Sequence, residues 1–347
     1  MKLVIQIPCL NEEQTLPQTV RDLPKSIPGI DQIEILVVDD GSTDRTVAVA
    51  EALGVHHILR LGRHRGLARA FTMGLEEALS LGADIIVNTD GDNQYAGADI
   101  SELVKPILEG HADMVVGCRP IADHPEFSPL KKMLQHIGSW TLRGLSQTTV
   151  RDASSGFRAF SRQTAQRLFI HSRFSHCMET LIQAGNLRLR VNSVDVNVNP
   201  KTRQSHLYQS LPEYLWKSGN TTLAMFVHYR PSRFFGALAA ANLAGATLLG
   251  LRFLYLVYLV PQPVPRRTYI PSLILLSILA LIGVGLLALA LISELIRSNR
   301  HLMEEILFLL RKQLDEKTLR FEGTAANKSF TGAPTRGCDA TKTKDPA

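Results

Sequence analysis

Ile85-Ile86-Val87-Asn88-Thr89-Asp90-Gly91-Asp92-Asn93-Gln94-Tyr95 is an apolar run that breaks abruptly into two aspartates with one glycine between them. Consecutive β-branched residues predict a buried strand. Open α/β sheets bind ligands at the carboxyl ends of their strands, which is where these carboxylates fall. Asp90 and Asp92 are two apart, so in a continuing strand both would point to one face. Gly91 allows a turn and the close approach of a ligand. Two hard oxygen ligands at one point suit Mg²⁺ or Mn²⁺, with substrate phosphates completing the octahedron. The same residues also fit a plain strand end followed by Asp-Gly and Asp-Asn turns, so the surroundings must choose.

Outward from this stretch, strand and helix alternate. Strands are predicted over 3–7, stopped by Pro8, and over 33–38, 55–59, 83–87 and 113–117. Between them come a loop and helix over 11–24 and helices over 44–53, 66–81 and 100–108. Ser42 or Thr43 is placed to cap the helix that starts at 44. The pattern loosens over 121–147, then gives a loop and strand over 150–160, helices over 163–169 and 177–185, and a last alternating strand over 187–198. This alternation predicts an α/β layer with a mainly parallel sheet. Three strand ends carry polar or acidic loops: Pro8-Cys9-Leu10-Asn11-Glu12, Asp39-Asp40-Gly41-Ser42-Thr43-Asp44 and Asp90-Gly91-Asp92-Asn93-Gln94. Together they predict a ligand crevice. No G-x-G-x-x-G follows the first strand and no G-x-x-x-x-G-K-[ST] occurs, so neither a dinucleotide site nor a P-loop is expected. A diphosphate held here would be neutralised by metal and arginine.

The 347 residues suffice for a large domain plus an appendage. A net charge of +6 suits phosphates or lipid head groups. Nucleic acid is not expected, because no basic run interleaved with aromatics and no zinc or helix-turn-helix signature occurs. Cys9, Cys118, Cys177 and Cys338 lie far apart without metal spacing and read as reduced thiols of a cytosolic domain. The start of the chain has no cleavable signal pattern, which predicts a cytoplasmic catalytic domain.

Hydropathy divides the chain sharply. Residues up to about 229 read as a mixed soluble domain, whereas 234–251 and 270–292 are uncharged apolar runs. Each reaches the roughly 18 residues that suggest a membrane helix. The expected organisation is a domain over 1–205, amphipathic interfacial helices over 206–232, and two transmembrane helices within 233–293, at about 234–256 and 270–293. An amphipathic helix over 294–320 and a disordered tail over 321–347 complete it.

Ile7-Pro8-Cys9-Leu10-Asn11-Glu12, Val37-Val38-Asp39-Asp40-Gly41-Ser42-Thr43-Asp44 and Asp90-Gly91-Asp92-Asn93-Gln94 resemble the three signatures of family 2 glycosyltransferases of the GT-A fold. Ser155-Gly156-Phe157-Arg158, Thr202-Arg203-Gln204-Ser205 and the two apolar helices make the chain similar to the polyprenyl-phosphate group, such as dolichyl-phosphate mannose synthase and bactoprenyl glucosyltransferase. The resemblance spans roughly residues 1–310. It implies a Rossmann-like, mainly parallel nucleotide-sugar-binding sheet followed by a two-helix transmembrane hairpin. It further implies that Pro8, Leu10 and Glu12 line the nucleotide pocket, Glu12 accepting from ribose hydroxyls. Asp39 or Asp40 would bond the base. Asp90, Asp92 and Gln94 would hold Mg²⁺ or Mn²⁺, and Asp90 and Asp92 are the catalytic pair. Arg119 and Arg203 would meet phosphate, and Ser205 would join Arg203 at the acceptor. His206 stands where the group has a lysine, and a glycine of its late motif is missing.

The implied reaction is inverting transfer from a UDP- or GDP-sugar to a membrane polyprenyl phosphate. The acceptor oxygen is already anionic near neutral pH, so no general base is required. The two helices also leave room for homo-oligomerisation. A processive polysaccharide synthase would carry Gln-x-x-Arg-Trp, and Trp140 and Trp216 follow Ser and Leu instead. A non-catalytic membrane scaffold of the same fold would have no reason to keep the acidic triplet.

Overall fold

The computed structural model describes residues 1–120, 150–170, 176–200, 220, 223–224, 226–227, 229–260 and 269–330, with side chains to 313. Strands β1 (Lys2–Cys9), β2 (Gln32–Asp39), β3 (His57–Arg60) and β4 (Ile85–Asn88) alternate with helices α1 (Leu16–Asp22), α2 (Thr46–Ala52) and α3 (Leu67–Ser80). Then come α4 (Ile100–Leu108), β5 (Met114–Cys118), β6 (Arg158–Ser161), α5 (Arg162–Arg167), α6 (His176–Asn186) and β7 (Val191–Asp195). The described strands form one sheet in the order β3-β2-β1-β4-β6-β5-β7. All neighbours are parallel except around β6, which runs antiparallel to both β4 and β5.

The apolar strands are buried on both faces. Leu3, Ile5 and Ile7 of β1 pack on the side of α1 and α4, with Leu16, Ile100 and Leu103. Val4, with Leu36 and Val38 of β2, packs on the side of α3, with Phe71 and Leu75. Period-two alternation feeds two cores at once, which is why these strands read as nearly continuous apolar runs.

Pro8 does not end β1 as expected. It pairs in register with Val38, and Cys9 pairs with Asp39. The β1–β4 ladder stops at Gln6 opposite Asn88, so the face where Pro8 lacks an N–H has no strand left to bond. Ser42 and Thr43 do not cap α2 either, because Arg45 is its N-cap and makes no side-chain cap bond. β4 ends at Asn88, so Asp90 and Asp92 sit in a turn and not on one strand face.

Two long helices follow. Helix α7 (Pro231–Leu254) runs into a π-helical turn, Tyr255–Leu259, and α8 spans Ile270–Phe330. Both are long and apolar enough to cross a membrane. They pack antiparallel through small residues: a Cβ on Gly283 would lie 2.7 Å from Leu243 Cγ, and one on Gly250 would lie 3.3 Å from Leu276 Cδ1. α8 passes unbroken through the boundary expected at 293, and no Gly or Pro occurs over 286–322 to stop it. The expected separate helix over 294–320 is thus part of α8, as are residues 321–330 of the expected disordered tail; residues 331–347 lie outside the described residues.

The far part of α8 contacts the α/β domain. Arg311 Nη2 donates to Glu76 Oε1 on α3 at 2.7 Å, and its Nη1 donates to Gln166 O and Leu168 O at 3.4 and 3.3 Å. The same guanidinium lies over the Phe169 ring, and Arg167 lies over Phe308. Arg300 lies over Tyr229, whose hydroxyl donates to Glu179 at 2.7 Å. Most of the expected interfacial stretch lies outside the described residues; within it, Tyr229 is buried in the domain core and Phe226 packs against that core.

Candidate active site

The loops after β1 and β2 are laced by their own polar groups. Asn11, held at φ 57°, donates its backbone N–H to Ser42 Oγ at 3.0 Å and accepts from Thr43 N at 2.8 Å. Glu12 N donates to Thr46 Oγ1 at 2.8 Å, and Arg45 N donates to Glu13 Oε2 at 3.0 Å. This use of Ser42 and Thr43 explains their absence from the cap of α2.

A loop that the sequence did not single out joins them. Asp40 accepts from Arg65 N at 2.7 Å and Gly66 N at 2.9 Å, and His64 Nδ1 lies 2.8 Å from its Oδ2. Both of its oxygens therefore serve the β3–α3 loop. Gly41, at φ 82°, lets that loop in, because a Cβ there would lie 2.6 Å from Arg63 C and His64 N. Asp39 accepts from Ser42 N through Oδ1 at 3.0 Å, and among the described residues its Oδ2 takes no bond. Exposed Arg63 and Arg65 put positive charge at this edge of the crevice, with exposed His64 between them. A run of basic residues after a short strand was the available signal.

The acidic loop is braced from below. Thr19 Oγ1 donates to Gly91 O at 3.1 Å, Asn199 Nδ2 donates to Asn93 O at 3.1 Å, and Gln94 N donates to Asp92 Oδ1 at 3.1 Å. Gly91 packs so tightly that a Cβ would meet Cys9 Sγ at 3.1 Å and Glu12 Cγ at 3.3 Å. Glu12 is turned inward, 8% exposed, and accepts from Thr15 Oγ1 at 2.6 Å. Pro8 is buried and Leu10 exposed at the rim.

Asp90 sits against the backbone of Gly156, where a Cβ would lie 3.1 and 3.3 Å from its two carboxylate oxygens. Buried polar groups pin Gly156 in place. Its carbonyl accepts from Asn88 Nδ2 at 2.8 Å, Asn88 Oδ1 accepts from Gln6 Nε2 at 2.9 Å, and its N–H donates to Tyr95 OH at 3.3 Å. The fully buried Arg158 donates to Ser155 O and Ala153 O at 2.7 and 2.9 Å on one side, and to Cys177 O at 2.6 Å on the other. Asn88 and Tyr95 had no sequence signal of their own, because their role depends on a segment more than sixty residues away.

Arg119 reaches this place but is not free. Its guanidinium pairs with Asp152 through Nε at 2.7 Å and Nη2 at 3.1 Å, and Nη2 also donates to Ser154 Oγ at 2.8 Å. Burial opposes ionisation of Asp152, yet the Arg119 guanidinium holds its carboxyl below the usual range. Arg203 and Ser205 lie outside the described residues.

The acidic loop fits a divalent cation. Burial, and then the charge of Asp92, pushes the Asp90 carboxyl up to about 7, with Arg119 opposing. Among the described residues no hydrogen bond reaches that carboxylate. A half-buried acid with a like charge beside it and no donor is stabilised by a cation. No group of three or more His, Cys, Asp or Glu forms a ready cage among the described residues. An ion here would therefore complete its shell from water and substrate oxygens, as Mg²⁺ does.

A mostly parallel sheet with an acidic crevice at its carboxyl edge is the arrangement of the GT-A fold. The sequence profile described as "Glycosyl transferase family 2" matches residues 4–169, and the chain belongs to this family. It is 31% identical over 212 residues to a UDP-N-acetylglucosamine–dolichyl-phosphate N-acetylglucosaminyltransferase of Methanococcus voltae, covering 55% of this chain and 82% of that one. It is 28% identical over 174 residues to a polyprenol monophosphomannose synthase of Mycolicibacterium smegmatis, covering 48% and 64%. Among solved structures, glucosyl-3-phosphoglycerate synthase of Mycobacterium tuberculosis, in complex with Mn²⁺, UDP and glucosyl-3-phosphoglycerate, superposes with a TM-score of 0.51 at 21% identity, covering 65% and 78%. At that identity the likeness speaks for the fold.

Proposed function

We propose that this chain is a membrane-anchored inverting glycosyltransferase that moves a sugar from a UDP- or GDP-sugar to a polyprenyl phosphate, with Mg²⁺ or Mn²⁺ at Asp90 and Asp92. The observation that carries the reading is the donor-free, half-buried Asp90 beside Asp92 at the carboxyl edge of the sheet. The names of the two relatives support the acceptor class, and the two long apolar helices support membrane anchorage.

In this reading an acceptor phosphate oxygen forms the new bond to the anomeric carbon. The bond from that carbon to the donor diphosphate breaks, and the nucleoside diphosphate leaves with the electron pair. No proton has to move. The divalent ion, when bound, supplies positive charge against the departing diphosphate. Asp39 offers its open Oδ2 to the base, while Asp40 holds the Arg63–Arg65 loop beside the phosphates. Arg119 is a charge held in place by Asp152, a preorganised partner for phosphate or sugar and not a flexible finger. Gln94 and the acceptor pair Arg203 and Ser205 keep the roles that the resemblance implies. The catalytic domain faces the cytosol.

The test is to incubate membranes with UDP- and GDP-sugars and short polyprenyl phosphates and to weigh the lipid product by mass spectrometry. A glycosyl-phosphate lipid is expected. Asp92→Asn keeps the shape and removes a charge, so transfer should fall by orders of magnitude. Undiminished transfer by Asp92→Asn in saturating Mn²⁺ and Mg²⁺ would remove the metal assignment.

A further inference from the structure

We propose that α8 carries a self-association seam, along which a second copy of this chain packs as a parallel two-helix coiled coil. Taking Ile292 as position a of a heptad puts Asn299 and Ile306 at a, and Leu295, Leu302 and Leu309 at d. From 270 to 313, every position that the fold shields falls at b, c or f, and all a, d, e and g positions are exposed. Two different partners share the shielded face. Within the apolar run it meets α7 at Gly283, and Ala290 on the same face is buried. Beyond it, Arg300, Phe308 and Arg311, at b, c and f, meet the catalytic domain. The opposite face keeps its apolar side chains in the open over the same length, with Leu295 at 68% and Leu302 at 59% exposure.

Lipid does not account for this face. A bilayer core takes about 20 residues of helix, which α8 has used by residue 292. The seam runs from 292 to 309, about 26 Å further at 1.5 Å per residue. An unbroken helix that crosses the membrane does not also lie flat on its surface. The chain's own domain already occupies the other side. The eight apolar side chains at a, d and e over 292–310, at on the order of 100 Å² each, would bury about 800 Å² per copy, the size of a standard stable interface. Copies inserted in one membrane with one topology have parallel α8 helices. Isoleucine at a with leucine at d favours two strands, and a polar Asn299 at a fixes register and partner number.

The inference rests on the membrane anchorage proposed above but not on the reaction. In a Cys338→Ser background the remaining cysteines are buried, so Leu302→Cys and His301→Cys are compared by oxidative cross-linking in membranes. Leu302→Cys at d should cross-link at least tenfold more than His301→Cys, which is exposed at c. Ile306→Arg should halve the mass of the detergent-solubilised protein by light scattering while nucleotide-sugar binding stays unchanged. Equal cross-linking at the two positions, or a monomeric wild type, overturns the seam. Alkaline extraction separates the two readings. Release of the wild type from membranes overturns the anchorage, while the mass of the released protein still judges the seam, a dimer supporting it and a monomer overturning it.

Discussion

Gly156 shows how a residue without a side chain can govern one with a charge. Its backbone is held by Asn88 and Tyr95, and the Asp90 carboxylate rests on its Cα. A methyl at 3.1 Å from Asp90 Oδ1 cannot move the pinned backbone, so the carboxylate must move by a few tenths of an ångström. A misplacement of about 1 Å can cost about a hundredfold in rate, so a shift of a few tenths weakens the site several-fold. Gly156→Ala should therefore need several times more Mn²⁺ for half-maximal transfer, with little change in unfolding temperature. A metal titration that superimposes on the wild type would separate Asp90 from the metal. The residue pattern alone advertised Asp90 and Asp92 but not this support. The adjacent Ser155-Gly156-Phe157-Arg158 motif was legible only as a resemblance.

At the scale of elements, α6 is seated on α3 by a titratable ring. His176 stacks on Phe71 at 4.4 Å with 18° between the planes. Burial, and then the charge of Arg158, pushes its imidazole down to about 3. The unfolded chain takes up this proton near 6.5, so the contribution is fully present above that pH and drains as pH falls toward the folded value. Between pH 7 and pH 5 the wild type should lose about 2 kcal/mol through this one group. His176→Gln loses the stack, so it starts less stable at pH 7, but it has no proton to gain. The stability gap between the two proteins should then narrow by about that amount at pH 5, measured by thermal unfolding in detergent. A gap of equal size at both pH values would mean that His176 is protonated in the fold or that the site opens freely. The helix itself was expected from periodicity over 177–185; its neutral histidine was not, because burial is set by α3.

For the whole molecule, the contact between the far part of α8 and the catalytic domain bears on topology. In the membrane-anchored reading proposed above, the Arg311–Glu76 pair puts both ends of the helix pair on one side of the membrane. Arg230 and Arg233 before α7, with Arg297 and Arg300 after the apolar run of α8, agree with a positive cytosolic side, whereas Arg266 and Arg267 in the connector oppose it. The contact keeps the two ends together, and the proposed use of a cytosolic nucleotide sugar would put both on the cytosolic side. A cysteine placed at Gln262 should be labelled by an impermeant reagent from outside intact cells. Labelling only after permeabilisation would reverse the orientation.

The amino-acid sequence alone determined the alternation of strands and helices, the acidic crevice at the strand ends and the two apolar helices. Each of these depends on local periodicity or on runs of one residue type, which neighbours along the chain carry. Only the tertiary structure decided where long-range partners meet. Asp39 and Asp40 are equivalent as letters; a loop 25 residues on claims both oxygens of Asp40 and leaves Asp39 with one. Arg119 reads as a free phosphate ligand until Asp152, 33 residues later, takes its guanidinium. β6 reads as one more strand, and only its partners β4 and β5 reveal that it runs antiparallel. The heptad in α8 was present in the residues, but a repeat has no meaning as an interface until the fold shows which of its faces is already covered.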